Sequence, residues 1–246
     1  MSIPKIIHYC WFGGGPISPE NRKCMESWKK YCPDYKIIEW NEQNFDISKN
    51  RYAQQAYEAK KYAFVSDYVR LAVVYEYGGI YLDTDVELVR PLDELLELPG
   101  FMGFQNNNEV ATGLGFGARK GNPVVQALLR DYDALDFLKA DGSVDLTPCP
   151  KRNTKVLQAL GVRKDGTRQS IAEMEIFPAE YFCPMTFPTR ELRVTPKTYS
   201  IHRYAESWKP KPSAVSRVLR RVLKKHYYTW YCPLRGRIVG WPKKKS

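Results

Sequence analysis

The stretch that decides the fold is Tyr77-Gly78-Gly79-Ile80-Tyr81-Leu82-Asp83-Thr84-Asp85. Its two glycines end a helical pattern, its apolar centre is a short strand, and two aspartates follow that strand. Residues two apart on a strand point to opposite faces, so both carboxylates can reach one ion only if the backbone turns at Thr84. The stretch therefore predicts a turn at the end of a core strand, which is where open α/β sheets place ligands.

The sequence before this stretch alternates between strand and helix patterns. We predict strands at Lys5–Phe12 and Tyr35–Trp40, separated by a helix that begins after the Ser18 cap and ends near Tyr31. A second helix is predicted at Ala63–Tyr77 from an apolar stripe with a 3.6-residue period. This order indicates a layered α/β domain with a largely parallel sheet.

The sequence after the two aspartates has weaker patterns. Extended structure is predicted to resume at Val86–Val89, and residues 146–196 look mostly irregular. Further elements are predicted at Phe101–Gln105 and Gly113–Ala118 (strands), Pro123 to about Asp136 and near Asn153–Leu160 (helices), and near Met174–Pro178 (strand).

Composition places the chain among globular proteins. With 246 residues and 43% hydrophobic content it can bury one substantial core. We find no apolar run long enough to span a bilayer and no signal-peptide pattern at the start, so the expected location is the cytoplasm. The six cysteines form no C-x-x-C pair and are expected to be reduced core residues.

The net charge of +11 is confined to the end of the chain. Eleven Lys or Arg residues and no acidic residue lie from Lys211 to Ser246, so residues 1–210 carry equal numbers of each sign. We therefore predict a catalytic domain at 1–210 and a basic tail at 211–246. An electrically balanced body argues against a nucleic-acid partner.

The tail has the pattern of a basic amphipathic helix. Between Ser213 and His226 one stripe is apolar and the rest is basic, and a cluster of aromatic residues follows. This is typical of an interfacial helix on an anionic membrane, which predicts peripheral attachment to the inner face of the cell membrane through residues 213–246. A terminal helix that docks on the domain is the alternative.

Several side chains could carry chemistry. Asp83 and Asp85 offer oxygen ligands that suit Mg²⁺ or Mn²⁺ on a substrate phosphate, and the alternative is a solvated turn. Asp67 and Arg70 share one side of the preceding helix, where they could bind a sugar or phosphate. The alternative to a binding role is that Asp67 and Arg70 form an exposed i, i+3 ion pair.

Three ordered motifs carry a family resemblance: Ile6-Ile7-His8-Tyr9-Cys10-Trp11-Phe12-Gly13, Ser66-Asp67-Tyr68-Val69-Arg70, and the stretch at 77–85. The chain resembles the retaining glycosyltransferases of family 32, related to the yeast initiating mannosyltransferase and the glucosylating domains of large clostridial toxins. The resemblance implies a single Rossmann-like, nucleotide-sugar-binding domain of the GT-A type. It is clearest in the first half of the chain and returns at 202–210.

The resemblance also implies roles for individual residues. Trp11 would stack on the nucleotide base, and Asp67 and Arg70 would hold the donor sugar. Tyr81 would line the nucleotide side, and ordinary core packing is the alternative for both Trp11 and Tyr81. Asp83 would contact ribose and the ion, and Asp85 would bind the ion directly.

The segment from His202 to Pro210 is similar to the family's late loop over the diphosphate. By resemblance, Ser207 and His202 would approach the metal and the Trp208 indole would donate to a phosphate oxygen. The alternative for His202 is a satisfied histidine at a strand end.

The function that follows is a metal-dependent hexosyltransferase. By resemblance it retains configuration, uses a UDP-hexose such as UDP-galactose or UDP-glucose or an N-acetyl form ahead of GDP-mannose, and takes a glycan acceptor. The membrane-facing tail suggests a lipid-linked acceptor in capsule or cell-surface polysaccharide synthesis. Alternatives are a haloacid-dehalogenase-like phosphohydrolase, a basic nucleic-acid-binding protein, and an inactive sugar-nucleotide binder.

Overall fold

The computed structural model describes residues 2–106, 108–187 and 189–205. Contacts divide the chain into one unit of Met1–Pro184 with Arg193–Trp208 and another of Met185–Leu192 with Lys209–Ser246. The amphipathic helix expected at 213–226 lies outside the described residues, so the division at 210 stays a prediction. Among the described helices, none has the length and apolarity to cross a membrane.

The first unit alternates strands and helices, as the sequence predicts. Its strands are β1 Ile6–Cys10, β2 Lys36–Trp40, β3 Gly79–Tyr81, β4 Val86–Leu88, β5 Gly100–Phe104, β6 Val110–Ala111, β7 Phe116–Ala118, β8 Gln169–Ile171, β9 Met174–Phe177 and β10 Ser200–His202. Its α-helices are α1 Pro19–Tyr31, α2 Arg51–Glu58, α3 Tyr62–Tyr77, α4 Pro123–Asp133, α5 Cys149–Ala159 and α6 Ala179–Phe182.

The central sheet is mixed, with most of its strands in one direction. Its order is β2-β1-β3-β7-β5-β9-β8, with β6 beside β5. Of these eight described strands, β2, β1, β3, β5 and β9 share one direction, whereas β6, β7 and β8 run the other way. The predicted α/β class with a mostly parallel sheet is confirmed, and one of the three reversed strands, β7, lies between β3 and β5.

Helices cover both faces of the sheet. One buried cluster combines residues of α2, α3, α4 and α5 with one set of strand side chains, including Tyr81 and Phe116. A second cluster combines Trp28 of α1 and Phe182 of α6 with the opposite set, including Ile80 and Phe101. Alternation along each strand therefore supplies two cores, because neighbouring side chains point to opposite faces.

The glycine pair after α3 lets β3 enter the sheet next to β1. Gly79 has φ of +107°, and a Cβ there would lie 2.9 Å from both the Ile6 carbonyl oxygen and His8 Nε2. His8 Nε2 is 2.8 Å from the Gly78 carbonyl oxygen, and the Trp40 indole donates to His8 Nδ1 at 3.0 Å. His8 is therefore a neutral ring that joins β1, β2 and the end of α3.

The structure also contains elements that the sequence patterns miss. α2 is not predicted, and β8, α6 and β10 lie in or beside the stretch that looked irregular. α5 begins four residues before the predicted helix, because Pro148 and Pro150 occupy the helix start, where proline is tolerated. The predicted strand at Gly113–Ala118 is shorter, at Phe116–Ala118.

The cysteine prediction is confirmed for the described residues. Five cysteines are free and buried: Cys10, Cys24, Cys32, Cys149 and Cys183.

We predict that Gly79→Ala destabilises the fold much more than Gly161→Ala. Both glycines have nearly the same φ, +107° and +105°, but a Cβ at Gly161 meets no atom of the described residues within 4 Å. Backbone strain should cost each variant about 1–2 kcal/mol. The clash with β1 should add about 1–3 kcal/mol for Gly79→Ala alone, measured by urea unfolding. Equal losses would contradict the close approach of β3 to β1.

We predict that His8 makes stability fall as the pH drops below about 6.5. Burial lowers the pKa of His8 in the folded state, so below its ordinary value the unfolded chain takes up a proton that the folded chain does not. The free energy of unfolding should therefore decrease from pH 7.5 to 5.5 by up to about 1.4 kcal/mol per pH unit. His8→Gln should flatten this slope; an unchanged slope would contradict the neutral His8.

Candidate functional site

The two aspartates after β3 lie on a tight turn, as predicted. The Asp83 carbonyl accepts a hydrogen bond from the Val86 N–H at 2.9 Å, so the chain reverses across Thr84 and Asp85. Helix α1 fixes this turn from outside. Asn21 donates to the Thr84 hydroxyl at 2.9 Å, and the Trp28 indole donates to the Val86 carbonyl at 2.7 Å.

The late segment of the chain reaches the same turn through β10. β10 pairs antiparallel with β4 and sets His202 opposite Val86. His202 Nε2 is 3.4 Å from Asp85 Oδ1, and the Ala205 N–H donates to Asp85 Oδ2 at 2.7 Å. One ligand atom each of Asp83, Asp85 and His202 lie within 4.8 Å of one another.

These three groups fit a divalent cation. Two ligand atoms on adjacent positions of an octahedral ion with bonds of about 2.1 Å are about 3 Å apart, and opposite ones about 4.2 Å. The observed spacing approaches this range, and two carboxylates with one imidazole suit Mn²⁺ or Mg²⁺. The alternative of a freely solvated turn is wrong, because Asp85 is largely buried and Thr84 is buried.

The electrostatics of this cluster favour positive charge. Burial lowers the pKa of His202, but Asp85 and Cys183 together outweigh this effect and raise it to about 10. Burial raises the pKa of Asp85, but His202 and the Ala205 N–H lower it by more than burial raises it. The pKa of Asp85 is therefore below its ordinary value. Asp85 is thus an anion, and a cation would compete with the imidazole proton.

Arg70 links this turn to helix α3. Its Nη2 is 3.1 Å from both Asp67 Oδ1 and Asp83 Oδ1, and its Nε donates to the Ser66 carbonyl at 3.0 Å. The guanidinium also lies over the Tyr81 ring, 5.0 Å from its centre. One arginine therefore contacts two predicted site carboxylates.

The predicted alternative of an exposed Asp67–Arg70 pair is wrong. Asp67 is 9% exposed and Arg70 only 4%, because α3 packs against neighbouring helices on more than its apolar stripe. Burial raises the pKa of Asp67 to about 6, against the opposing effect of Arg70. Burial also raises the pKa of Asp83, again opposed by Arg70.

The two aromatic site predictions have different surroundings. Tyr81 is 1% exposed, and its hydroxyl donates to Asp83 Oδ1 at 2.9 Å, so it is a core residue that also orients the aspartate. Trp11 follows β1 and is half-buried, with its indole N–H bonded to the Gly15 carbonyl. Base stacking by Trp11 stays a prediction.

The structure adds residues that sequence patterns do not indicate. Gly113 packs against the acidic turn: a Cβ there would overlap the Asp83 carboxylate and lie 3.2 Å from Arg70 Nη1. Cys149 starts α5, and its Sγ lies 3.6 Å from Arg70 Nη1 and 3.8 Å from the Thr112 hydroxyl. These groups come from separate segments, so no local spacing signals them.

Residues 18–101 match a family described as "Glycosyltransferase sugar-binding region containing DXD motif". Over these residues the chain is therefore similar to the sugar-binding region of DXD-containing glycosyltransferases. The matched region contains Asp67, Arg70, Asp83 and Asp85, and it confirms the resemblance to family-32 glycosyltransferases and the predicted enzyme class.

Curated relatives of this glycosyltransferase domain share about 30% identity. An inositol phosphoceramide mannosyltransferase of Schizosaccharomyces pombe is 29% identical over 147 residues, covering 55% of this chain and 39% of that protein. A mannosyl phosphorylinositol ceramide synthase of Saccharomyces cerevisiae is 33% identical, covering 41% and 27%. An uncharacterized glycosyltransferase of Acanthamoeba polyphaga mimivirus is 30% identical, covering 57% and 62%. The chain thus spans less than two thirds of each relative.

Among solved structures, the chain is similar to one described as PaToxG glycosyltransferase. The two share 21% identity with a TM-score of 0.48, covering 64% of this chain and 69% of the other.

The remaining predicted site residues cannot be compared with the geometry. Ser207 and Trp208 lie outside the described residues, so their approach to the metal and the diphosphate stays a prediction.

We predict that Arg70→Met destabilises the domain by about 3–5 kcal/mol, because it leaves buried carboxylates without their counter-charge. The matched control is Arg168→Met, which removes an exposed ion pair with Glu175 and should cost about 1 kcal/mol or less. Urea unfolding of both variants measures the difference. A loss for Arg70→Met as small as that for Arg168→Met would show that Asp67 and Asp83 do not depend on the guanidinium.

Proposed function

We propose that the protein transfers a hexose from a nucleotide-sugar donor to a glycan acceptor, with a divalent cation and with retention of configuration. The observation that carries this proposal is the convergence of Asp83, Asp85 and His202 beside the buried Asp67–Arg70 pair. The DXD family match supports the same class of reaction.

Asp83, Asp85 and His202 would hold the cation, Mn²⁺ or Mg²⁺. When bound, such an ion stabilises the negative charge that develops on a leaving diphosphate. The protein's own contribution is to fix these ligands. Tyr81 and Arg70 orient Asp83, and the Ala205 N–H orients Asp85. Ser207 and Trp208 are proposed to complete this side.

Asp67 and Arg70 would hold the donor sugar. A buried carboxylate is a strong acceptor for sugar hydroxyls, because little water competes with them. Arg70 keeps Asp67 charged and connects it to Asp83, so sugar and diphosphate would bind in fixed relation to each other. Trp11 would stack on the base at the end of β1.

Retention would proceed on one face of the sugar. None of the proposed site residues is a glutamate, and Asp67, Asp83 and Asp85 already have neighbours that hold them. We infer that the departing phosphate oxygen takes the acceptor's proton as the acceptor oxygen attacks. The protein would supply position and electrostatic stabilisation.

The donor sugar is proposed from two sources that differ. The family resemblance puts UDP-hexoses first, including UDP-galactose, UDP-glucose and N-acetyl forms. One curated relative is named an inositol phosphoceramide mannosyltransferase and another a mannosyl phosphorylinositol ceramide synthase, which supports mannose. GDP-mannose therefore belongs in the same donor panel.

The proposed acceptor is a lipid-linked glycan in capsule or cell-surface polysaccharide synthesis. The inositol phosphoceramide in the relatives' names supports a lipid-borne acceptor. Residues 213–246, with their basic and aromatic sequence, would hold the enzyme on the inner face of the cell membrane. A nucleic-acid partner is not proposed.

The test is hydrolysis of a panel of nucleotide sugars with Mn²⁺, comparing the wild type with Asp85→Ala and Glu175→Ala. One donor should turn over with Mn²⁺ and not with EDTA. Asp85→Ala should lower the rate by at least about 100-fold, because the group that stabilises the leaving diphosphate is lost. Glu175→Ala, in an exposed pair, should keep the wild-type rate.

Donor binding by calorimetry separates the other outcomes. Absence of both turnover and binding for every donor would overturn the proposal. Binding without hydrolysis, even after addition of lipid-linked glycans, would indicate an inactive sugar-nucleotide binder instead.

A further inference from the structure

A cluster of buried polar side chains lies on the face of the sheet that α2, α3, α4 and α5 cover. Three helices pack there with α3: α2 and α4 contact α3, and α5 contacts α4. Tyr52 of α2 is 0% exposed and Tyr132 of α4 is 1% exposed, and their rings meet edge to face at 5.1 Å. The Arg152 guanidinium of α5 lies 5.5 Å from the Tyr52 ring centre.

Three polar atoms of this cluster lack a hydrogen-bond partner within the described part of the chain. They are the hydroxyls of Tyr52 and Tyr132 and the Nε of Arg152. An unpaired buried hydroxyl is unfavourable, and a phenylalanine would fill almost the same space without one. Such groups normally bind ordered water, which makes two to four hydrogen bonds to polar partners.

Asp67 lies on the side of α3 that packs toward these tyrosines: the ring of Phe64, one turn before it, is 5.2 Å from that of Phe137, which is 5.4 Å from that of Tyr52. Burial raises the pKa of Tyr52 and of Tyr132, and in each case Asp67 is the charged group that raises it most. Tyr68, the neighbour of Asp67 on α3, packs with its ring 6.2 Å from that of Tyr132. A hydrogen bond from Cys149 also acts on Asp67 and lowers its pKa.

We propose that Tyr52 and Tyr132 are positioning residues for Asp67. Their hydroxyls hold the Asp67 carboxylate, through ordered water, in the orientation that recognises the donor hexose. This inference rests on the proposed function. Neither tyrosine belongs to the metal cluster of Asp83, Asp85 and His202. Their effect should therefore fall on donor recognition and leave cation affinity unchanged.

The test measures donor and Mn²⁺ affinity by calorimetry for Tyr52→Phe and Tyr132→Phe, each in the wild type and in an Asp67→Asn background. The donor is the nucleotide hexose that turns over in the panel. Each Phe variant should bind it about tenfold more weakly, the effect of one hydrogen bond to a charged group. Mn²⁺ affinity should stay within about twofold. In the Asp67→Asn background the loss should disappear, because the hydroxyls would act through that carboxylate.

The matched control is Tyr35→Phe. Tyr35 is also buried, and its hydroxyl has no hydrogen-bond partner among the described residues, but it lies in the core cluster on the other face of the sheet. This variant should keep wild-type donor affinity. The two test tyrosines lie on different helices, so either variant serves if the other does not fold.

Three outcomes would overturn the inference. Unchanged donor affinity in both Phe variants would show that the hydroxyls do not act on recognition. An equal loss with and without Asp67 would indicate a structural effect that bypasses the carboxylate. Failure of the wild type to bind any donor would overturn the proposed function as well.

Discussion

The contact of Arg70 with both Asp67 and Asp83 is the interaction on which the rest of the site depends. Removing an arginine and two carboxylates from water is costly, and the cost is offset only where the groups compensate one another. Here one guanidinium meets two carboxylates at 3.1 Å each. Its single charge cannot balance both, and Asp85 adds a further negative charge, which a protonated His202 offsets. The remaining negative charge is an electrostatic argument for the proposed divalent cation at this turn.

The site divides its tasks between the two layers of the fold. The end of β3 and the β4–β10 pair bring the three candidate metal ligands together, so that geometry depends on backbone pairing. Asp67 depends instead on the packing of helices around α3. Arg70 joins the two, and Gly113 makes room for the junction because any side chain there would displace the Asp83 carboxylate.

Sequence patterns predict the local parts of this arrangement well. The glycine pair, the short strand and the turn at Thr84 follow from neighbouring residues, and so does the helix that carries Asp67 and Arg70. The burial of Asp67 and Arg70 does not follow from neighbouring residues. It depends on α2, α4 and α5, whose contacts with α3 or with one another are set by the tertiary fold. For the same reason, local sequence patterns do not predict that Tyr52, Tyr132 and Cys149 lie near this pair. His202 was found only through the family resemblance, since β10 lies far along the chain.

The pairing of β10 with β4 also orders the assembly of the site during synthesis. The bond from the Ala205 N–H to Asp85 spans 120 positions of the sequence. Because a ribosome releases the chain from its N-terminus, Asp67, Arg70, Asp83 and Asp85 emerge long before His202. A nascent chain that stops short of β10 has the acidic turn but lacks the imidazole and the strand that cover it. The complete set of cation ligands therefore exists only after most of the domain has left the ribosome.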